Sequence, residues 1–457
     1  VYHGFRYISV TGVDAAQFSA HAAVIRADNA PVGALSIDDP FLQTLHTIID
    51  RAVQGNMYSV FTDCPSREKL GWIEQLHLCV GLLTRSYDVE AHLRDSLDLM
   101  RDAQHPGGLV PSIVPQTTDF SGNEWDGDPD AFVDDVNWGG AIAHLAWAHY
   151  LEYGDRSVLD ENRDAVLRYL AHIEARSVDG LLDFGLGDWV ALDTSTPASM
   201  VATAGWIHLL RTSAALLSTV GDSVGAAELE ERAATVTARF ITVFRGPGAE
   251  QWGSGSQASL ALALDLEVVP ATEVDATVQR LLDAIETAGG HLTVGENSWP
   301  ALLRVLHAHG RDDVIDRMIR IDDGPGYGLQ IRLGATALAE TWRGASGARY
   351  ENSQNHFMLG MIHDWIAEDA IGLAQAADSV GWRTAVMRPG FAPAATKASF
   401  SQTTARGTFA LEWDTDSGRI TAEVPKGARA LLMIPERWAS DTSPALELEA
   451  GRWEWSA

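Results

Sequence analysis

Apolar residues recur every three or four positions through most of the chain. Phe41, Leu42, Leu45, Ile48, Ile49, Ala52 and Val53 fall on one helical face. Comparable stretches span 71–85, 88–105, 138–153, 158–174, 198–219, 223–244, 256–266, 273–288, 298–309, 311–320, 334–342 and 352–372. Between them lie loops rich in Gly, Pro, Asp and Asn at 106–137, 179–197 and 289–297. No intervening strand is long enough for a βαβ unit, and no fixed-period repeat marks a solenoid. The pattern predicts roughly a dozen helices in antiparallel pairs, arranged as a solenoid or as a closed toroid of six hairpins. Long, unlike loops at one end suit an enzyme built on a toroid.

The two ends of the chain read differently. Phe5, Tyr7, Ile8 and Val10 are strand formers closed by Thr11-Gly12, so 1–25 read as the last strands of a preceding sheet domain and 26–39 as a linker. After residue 376, Thr408, Phe409, Leu411 and Trp413 partly alternate with polar positions. Asp416-Ser417-Gly418 marks a hairpin, Ile420, Ala422 and Val424 continue, and 428–434 forms a further short strand. The expected organisation is therefore a helical domain over 40–375 and a small antiparallel β-domain over 376–457.

Charge removes some partners. The 457 residues hold 62 acidic and 33 basic side chains, a formal net charge of −29. Such a surface repels nucleic acid and anionic lipid but not neutral ligands. Two cysteines, Cys64 and Cys79, make neither a disulfide scaffold nor a four-cysteine metal site. No run of about 18 apolar residues suggests a membrane span. The chain begins at Val1 without an initiator Met and reads as part of a longer protein, so the lack of a signal peptide says nothing. The compartment stays open, with the cytoplasm ahead of secretion, and a homodimer is compatible with the composition. Fifteen tryptophans are many for this length, and Trp serves both cores and sugar-stacking platforms.

Three segments concentrate chemistry. Thr62 to Gln75 packs Asp63, Glu68 and Glu74 with Arg67, Lys69 and Trp72. That mixture can move a carboxyl pKa either way, as an acid catalyst requires; it is also what a helix start capped by Asp63 looks like. Gly185-Leu186-Gly187-Asp188-Trp189 is either a sugar grip, edge-bonded by Asp188 and stacked by Trp189, or a turn closed by the Asp. Trp125 and Trp138 flank an acidic loop as ligand platforms or anchors. Glu340 follows small and apolar residues, near a helix end or in a partly buried pocket. His356 in Ser353-Gln354-Asn355-His356 is a lone histidine, more often structural than catalytic. No His-Glu-x-x-His, nucleotide-binding glycine motif or phosphate loop occurs, so neither metal nor cofactor is expected.

In order and spacing, these motifs resemble glycoside hydrolase family 78, the α-L-rhamnosidases. The likeness runs from His3-Gly4-Phe5-Arg6-Tyr7 through Asp63-Cys64-Pro65, Arg67 to Trp72, Trp138-Gly139, Gly187-Asp188-Trp189 and Gly334-Ala335-Thr336 with Glu340, to Ser353–His356. It implies an (α/α)6 toroid followed by a β-sandwich, and an inverting, metal-free hydrolase of rhamnose-containing glycosides or polysaccharides. It carries over Glu68 as general acid and Glu340 as general base. Asp63, Arg67 and Trp72 would surround the sugar, with Trp138, Trp189, Tyr327 and His356 lining its pocket; Glu74, Trp125 and Asp188 stand beside them as substrate-binding candidates on their own local chemistry. This chain lacks an acidic residue that other members carry between Arg67 and Glu68, and it has Gln75 and Gly140 where many have Asp. A lyase on a similar toroid, or a non-catalytic sugar-binding module, are the rival readings. Inversion calls for two carboxyls about 6.5–9.5 Å apart.

Overall fold

The computed structural model describes every residue except 1, 4, 6, 248–250, 347–351, 391, 393, 435–444 and 457. Gly4 and Arg6 of the N-terminal motif thus lie outside the described residues. The helices in chain order are α1 (Pro40–Asn56), α2 (Glu74–Leu78), α3 (Val80–Ser86), α4 (Glu90–Ala103), α5 (Val136–Gly139), α6 (Ala141–Tyr153), α7 (Ser157–Arg176) and α8 (Ala198–Val220). They continue with α9 (Ser223–Phe244), α10 (Gln257–Asp265), α11 (Val274–Thr287), α12 (Trp299–Ala308), α13 (Asp312–Arg320) and α14 (Tyr327–Arg332).

Local chemistry accounts for their ends. Asp39 caps α1 by accepting from the Phe41 and Leu42 amides, with Pro40 in the first turn. Asp222 caps α9 through the Gly225 amide, and Gly221, at φ +92°, closes α8 in the left-handed conformation. The apolar stripe read from 41–53 is buried from Leu42 to Val53. α8 is long and apolar enough to cross a membrane by composition, but 72% of its most apolar window is buried inside this protein, as befits a core helix.

Consecutive helices pack as hairpins: α6 on α7, α8 on α9, α10 on α11, α12 on α13. The ring closes where α14 meets α1 and the Leu338 amide donates to the Ile48 carbonyl at 2.9 Å. Asn56 at the end of α1 donates to Asn355 at 3.0 Å, and Cys79 donates to the Phe357 carbonyl at 3.3 Å. The first and last parts of the toroid are thereby neighbours.

The β-domain is two sheets. One has the order β1-β4-β5-β6-β9, from Gly33–Ile37, Lys397–Thr404, Gly407–Asp414, Arg419–Val424 and Gly451–Ser456; the other, β2-β3-β7-β8, from Leu373–Gln375, Thr384–Met387, Arg429–Leu432 and Leu446–Leu448. The β5–β6 hairpin turns at the predicted place, where the Asp414 side chain accepts from the Asp416 and Ser417 amides. Trp413 donates its indole N–H to the Ile371 carbonyl at 2.9 Å, fixing the sheet on the toroid.

Four expectations are corrected. The stretch 26–39 is more than a linker, because Gly33–Ile37 pairs antiparallel with β4, Leu35 opposite Phe400. No described residue of 1–25 lies in a strand. Residues 71–85 form two short helices, not one. Residues 334–342 are not helical, although their composition favours it. Gly334, at φ +77°, ends α14, and the chain beyond bonds laterally to α1 and to 353–356. Tertiary pairing there overrides propensity.

Candidate active site

The segment after α1 is a clasped loop, not a capped helix. The Asp63 amide donates to the Leu70 carbonyl, and the Leu70 amide returns a bond to Asp63 Oδ1, both at 2.8 Å. Lys69, at φ +63°, reverses the chain between Glu68 and Trp72. Gly71 packs so closely on Val114 that any Cβ would strike its carbonyl. This seats Trp72, which bridges to Ile113 and donates its indole N–H to Glu68 Oε2 at 3.0 Å.

Glu340 arrives from the far end of the sequence. Its amide donates to the Ser353 carbonyl, and its Oε2 accepts from the Ser353 amide at 2.6 Å. That double tie replaces the expected helix and aims the carboxylate at the loop from 63 to 72. Arg67 Nη2 lies 2.5 Å from Glu68 Oε1 and 2.9 Å from Glu340 Oε2. The two glutamates, 272 positions apart in sequence (340 − 68), thus converge on one guanidinium nitrogen.

Around them is a cavity of 630 Å³ lined by Asp63, Arg67, Glu68, Trp72, Glu74, Phe120, Asn123, Phe132, Trp138, Leu186, Trp189, Glu340, His356 and Met358. Its volume falls within the range of small-ligand sites, about 300–1,000 Å³. The acids beneath it are desolvated. Burial, with a contribution from Glu68, raises the Asp63 carboxyl to about 6. Burial raises Glu340, while the Ser353 amide and Arg67 pull it back. Glu74 is driven well above the usual carboxylate range by burial. His356 falls to about 3, through burial and then Arg67, so it is neutral and accepts from the Met358 amide. Among the described residues no group of three His, Cys, Asp or Glu side chains is placed to hold a metal ion.

Nine of the twelve residues singled out in sequence meet in this one cavity: Glu68, Glu340, Asp63, Arg67, Trp72, Glu74, Trp138, Trp189 and His356. Three do not line it. Trp125 lies in the neighbouring cleft, its ring 5.1 Å from that of Trp189. Asp188 accepts from the Gly295 and Ser298 amides at 2.7 and 3.0 Å, tying its loop to the 295–298 segment, and it lines the neighbouring cleft. Tyr327 is fully buried; its hydroxyl accepts from the Trp299 indole and donates to the Leu359 carbonyl. Tyr327→Phe is therefore expected to destabilise the fold by about 1–3 kcal/mol, the cost of orphaning buried polar groups. Thermal melting and steady-state assay check it, and an altered KM would return Tyr327 to the pocket.

Phe120, Asn123, Phe132, Leu186 and Met358 were not singled out in the sequence. Phe120, Asn123 and Phe132 belong to the long acidic loop, whose length was the available signal. Two buried acids also escaped notice. Asp135 caps α5, accepts from the Leu186 amide, and is raised to about 7 by burial. Glu296 is fully buried, and that burial, followed by the charges of Glu74, Asp188, Asp135 and Glu340, raises its carboxyl well above the usual range.

Comparison with known proteins follows the same lines. The family model of the bacterial alpha-L-rhamnosidase six-hairpin glycosidase domain matches residues 30–370, and that of the bacterial alpha-L-rhamnosidase C-terminal domain matches 372–445. An alpha-L-rhamnosidase of Streptomyces avermitilis is 29% identical over 446 residues, covering 95% of this chain and 42% of that protein. One from Formosa agariphila is 26% identical over 468 residues, covering 98% and 49%. The chain thus spans less than half the length of these relatives. Among solved structures, the Streptomyces avermitilis alpha-L-rhamnosidase complexed with L-rhamnose superposes with a TM-score of 0.85 at 26% identity, over 94% of this chain and 43% of the other. The Aspergillus terreus enzyme shares the fold with a TM-score of 0.87 at 24% identity, over 99% and 54%. With the helical ring closed between its first and last parts and the six-hairpin model matching 30–370, three quarters of the sequence, the chain belongs to the bacterial alpha-L-rhamnosidase six-hairpin glycosidase family.

Proposed function

We propose that this protein hydrolyses terminal α-L-rhamnosyl groups, with Glu68 as general acid and Glu340 as general base. The observation that carries the reading is the convergence of both carboxylates on Arg67 inside an aromatic, sugar-sized cavity. A non-catalytic module has no need to bring two acids to one point. Trp72, Trp138 and Trp189 offer faces for a sugar ring, and Asp63, Glu74 and His356 offer edges for its hydroxyls.

The chemistry balances with water alone. Glu68 gives its proton to the glycosidic oxygen as that bond breaks. Water attacks the anomeric carbon from the opposite face and passes its proton to Glu340. Burial raises the Glu340 carboxyl, and Arg67 works against that rise in favour of the ionised form. Glu340 is fixed by Ser353 with 9% of its side chain exposed, whereas Glu68 is 27% exposed on the loop.

The spacing of the two carboxylates bears on the stereochemical course. With both carboxylates on one nitrogen, their nearest oxygens lie no further apart than the sum of 2.5 and 2.9 Å. Measured between nearest oxygens, that bound fits carboxyl groups spaced either as in retaining enzymes, about 5–5.5 Å, or as in inverting ones, roughly 6.5–9.5 Å. Proton NMR of the first-formed sugar decides: inversion requires β-L-rhamnose before mutarotation, and α-L-rhamnose would make Glu340 a nucleophile. An unsaturated product absorbing in the near ultraviolet would instead indicate a lyase.

A further inference from the structure

The sugar pocket does not end at Trp189. Trp189 and Leu186 also line a second cleft of 640 Å³, whose other wall holds Trp125 and Asp126. Asp193 is shared between that cleft and a third, larger space of 1040 Å³. The second hollow thus shares wall residues with both others, Leu186 and Trp189 with the glutamate pocket and Asp193 with the third space, while the third shares none with the glutamate pocket.

Their linings change along the way. In the middle cleft, Trp125 and Trp189 meet edge to face, with an interplanar angle of 61°. Each is followed by a residue in the left-handed region, Asp126 at φ +49° and Val190 at φ +58°. For a β-branched residue such as Val190 this is a real outlier, and such outliers persist at ligand-contacting sites. The third space is a polar furrow. Ser195, Ser254 and Gln251 lie on one side, and α11 supplies Gln279, Arg280 and Asp283 on the other. α11 contributes from Ala276 to Thr287, about 16 Å at 1.5 Å per residue. A flat aryl aglycone has no use for a long wall of hydroxyls, amides and charges. A chain of sugars does: its faces stack on Trp and its hydroxyls bond to polar side chains.

Resting on the hydrolase reading above, we propose that the furrow along α11 binds an extended glycan aglycone. The substrate is then a terminal rhamnose on an oligosaccharide or polysaccharide, whose following sugars pass Trp125 and Trp189 and lie between α11 and the 251–256 loop.

The test uses rhamno-oligosaccharides from disaccharide to hexasaccharide beside an aryl rhamnoside and a flavonoid rhamnoside. The ratio of kcat/KM for hexasaccharide over disaccharide is expected to be about tenfold or more, carried by KM because remote binding is uniform. Gln279→Trp and Thr287→Trp, both at exposed positions of α11, fill the furrow and are expected to bring that ratio close to one. A ratio near one in the unaltered protein, a ratio insensitive to both substitutions, or a flavonoid rhamnoside turned over as well as the hexasaccharide overturns the proposal. Inactivity on every rhamnoside would overturn the hydrolase reading instead. Calorimetric binding of the hexasaccharide, with and without Gln279→Trp, then still reports on the furrow: tighter binding than rhamnose that the substitution removes supports it, and equal binding overturns it.

Discussion

Glu340→Gln is expected to lower kcat on an aryl rhamnoside by about 10²–10⁴-fold, the usual worth of a positioned general base. Gln keeps the volume and one carbonyl oxygen for the Ser353 amide, so the tie between positions 340 and 353 is kept. What disappears is the anion that takes the proton from water and faces Arg67. Glu68→Gln should lose less on a nitrophenyl rhamnoside than on a rhamnosyl disaccharide, since a nitrophenolate leaves without a proton and a sugar alkoxide does not. Glu340→Gln should lose equally on both. Circular dichroism confirms folding. A Glu340→Gln protein that keeps more than a tenth of its activity removes Glu340 from the chemistry.

Arg67→Met has the second largest expected effect, and its sign follows from the site. Burial raises the Glu340 carboxyl and Arg67 opposes that rise. A base works only when ionised, so its pKa sets the acidic limb of the pH profile. Removing the cation lifts that pKa further, and the acidic limb moves to higher pH. An opposite charge at this distance is worth about 1–3 pKa units, or roughly 10–1,000-fold in activity on the acidic side. The loss should shrink as pH rises. Met preserves much of the aliphatic stem, which keeps the packing part of the change small. A uniform loss at all pH values would mean that Arg67 orients the sugar and leaves the Glu340 charge alone.

Much of this site was legible in the residues, for different reasons at different positions. Asp63 to Trp72 stands out because carboxylates, cations and Trp crowd a loop where no core demands them. Trp189 follows two glycines that bend the backbone. Glu340 was visible only as an acid among small residues, and its surroundings suggested a helix. Asp188 and Tyr327 show the converse. Their residue types suit sugar binding, yet Asp188 ties down the distant Gly295 and Ser298 amides beside a different cleft, and Tyr327 is held in the core by Trp299 and Leu359. Which hydrogen-bond partner a side chain finds is a tertiary matter. Phe120, Phe132 and Met358 looked like ordinary apolar positions, and Glu296 like a loop acid, until packing buried it completely.

The chain by itself determined a helical repeat followed by alternation, because periods of 3.6 and 2 are written in the spacing of apolar residues. It also determined the chemical types available at each loop. Only the closed fold decided that α1 and the segment after α14 are neighbours, that residues 33–37 pair with 398–402, and that two acids from opposite ends of the helical domain face one arginine. The reason is physical: ladder partners, burial and electrostatic neighbours depend on distances in space, which local spacing along the chain does not contain.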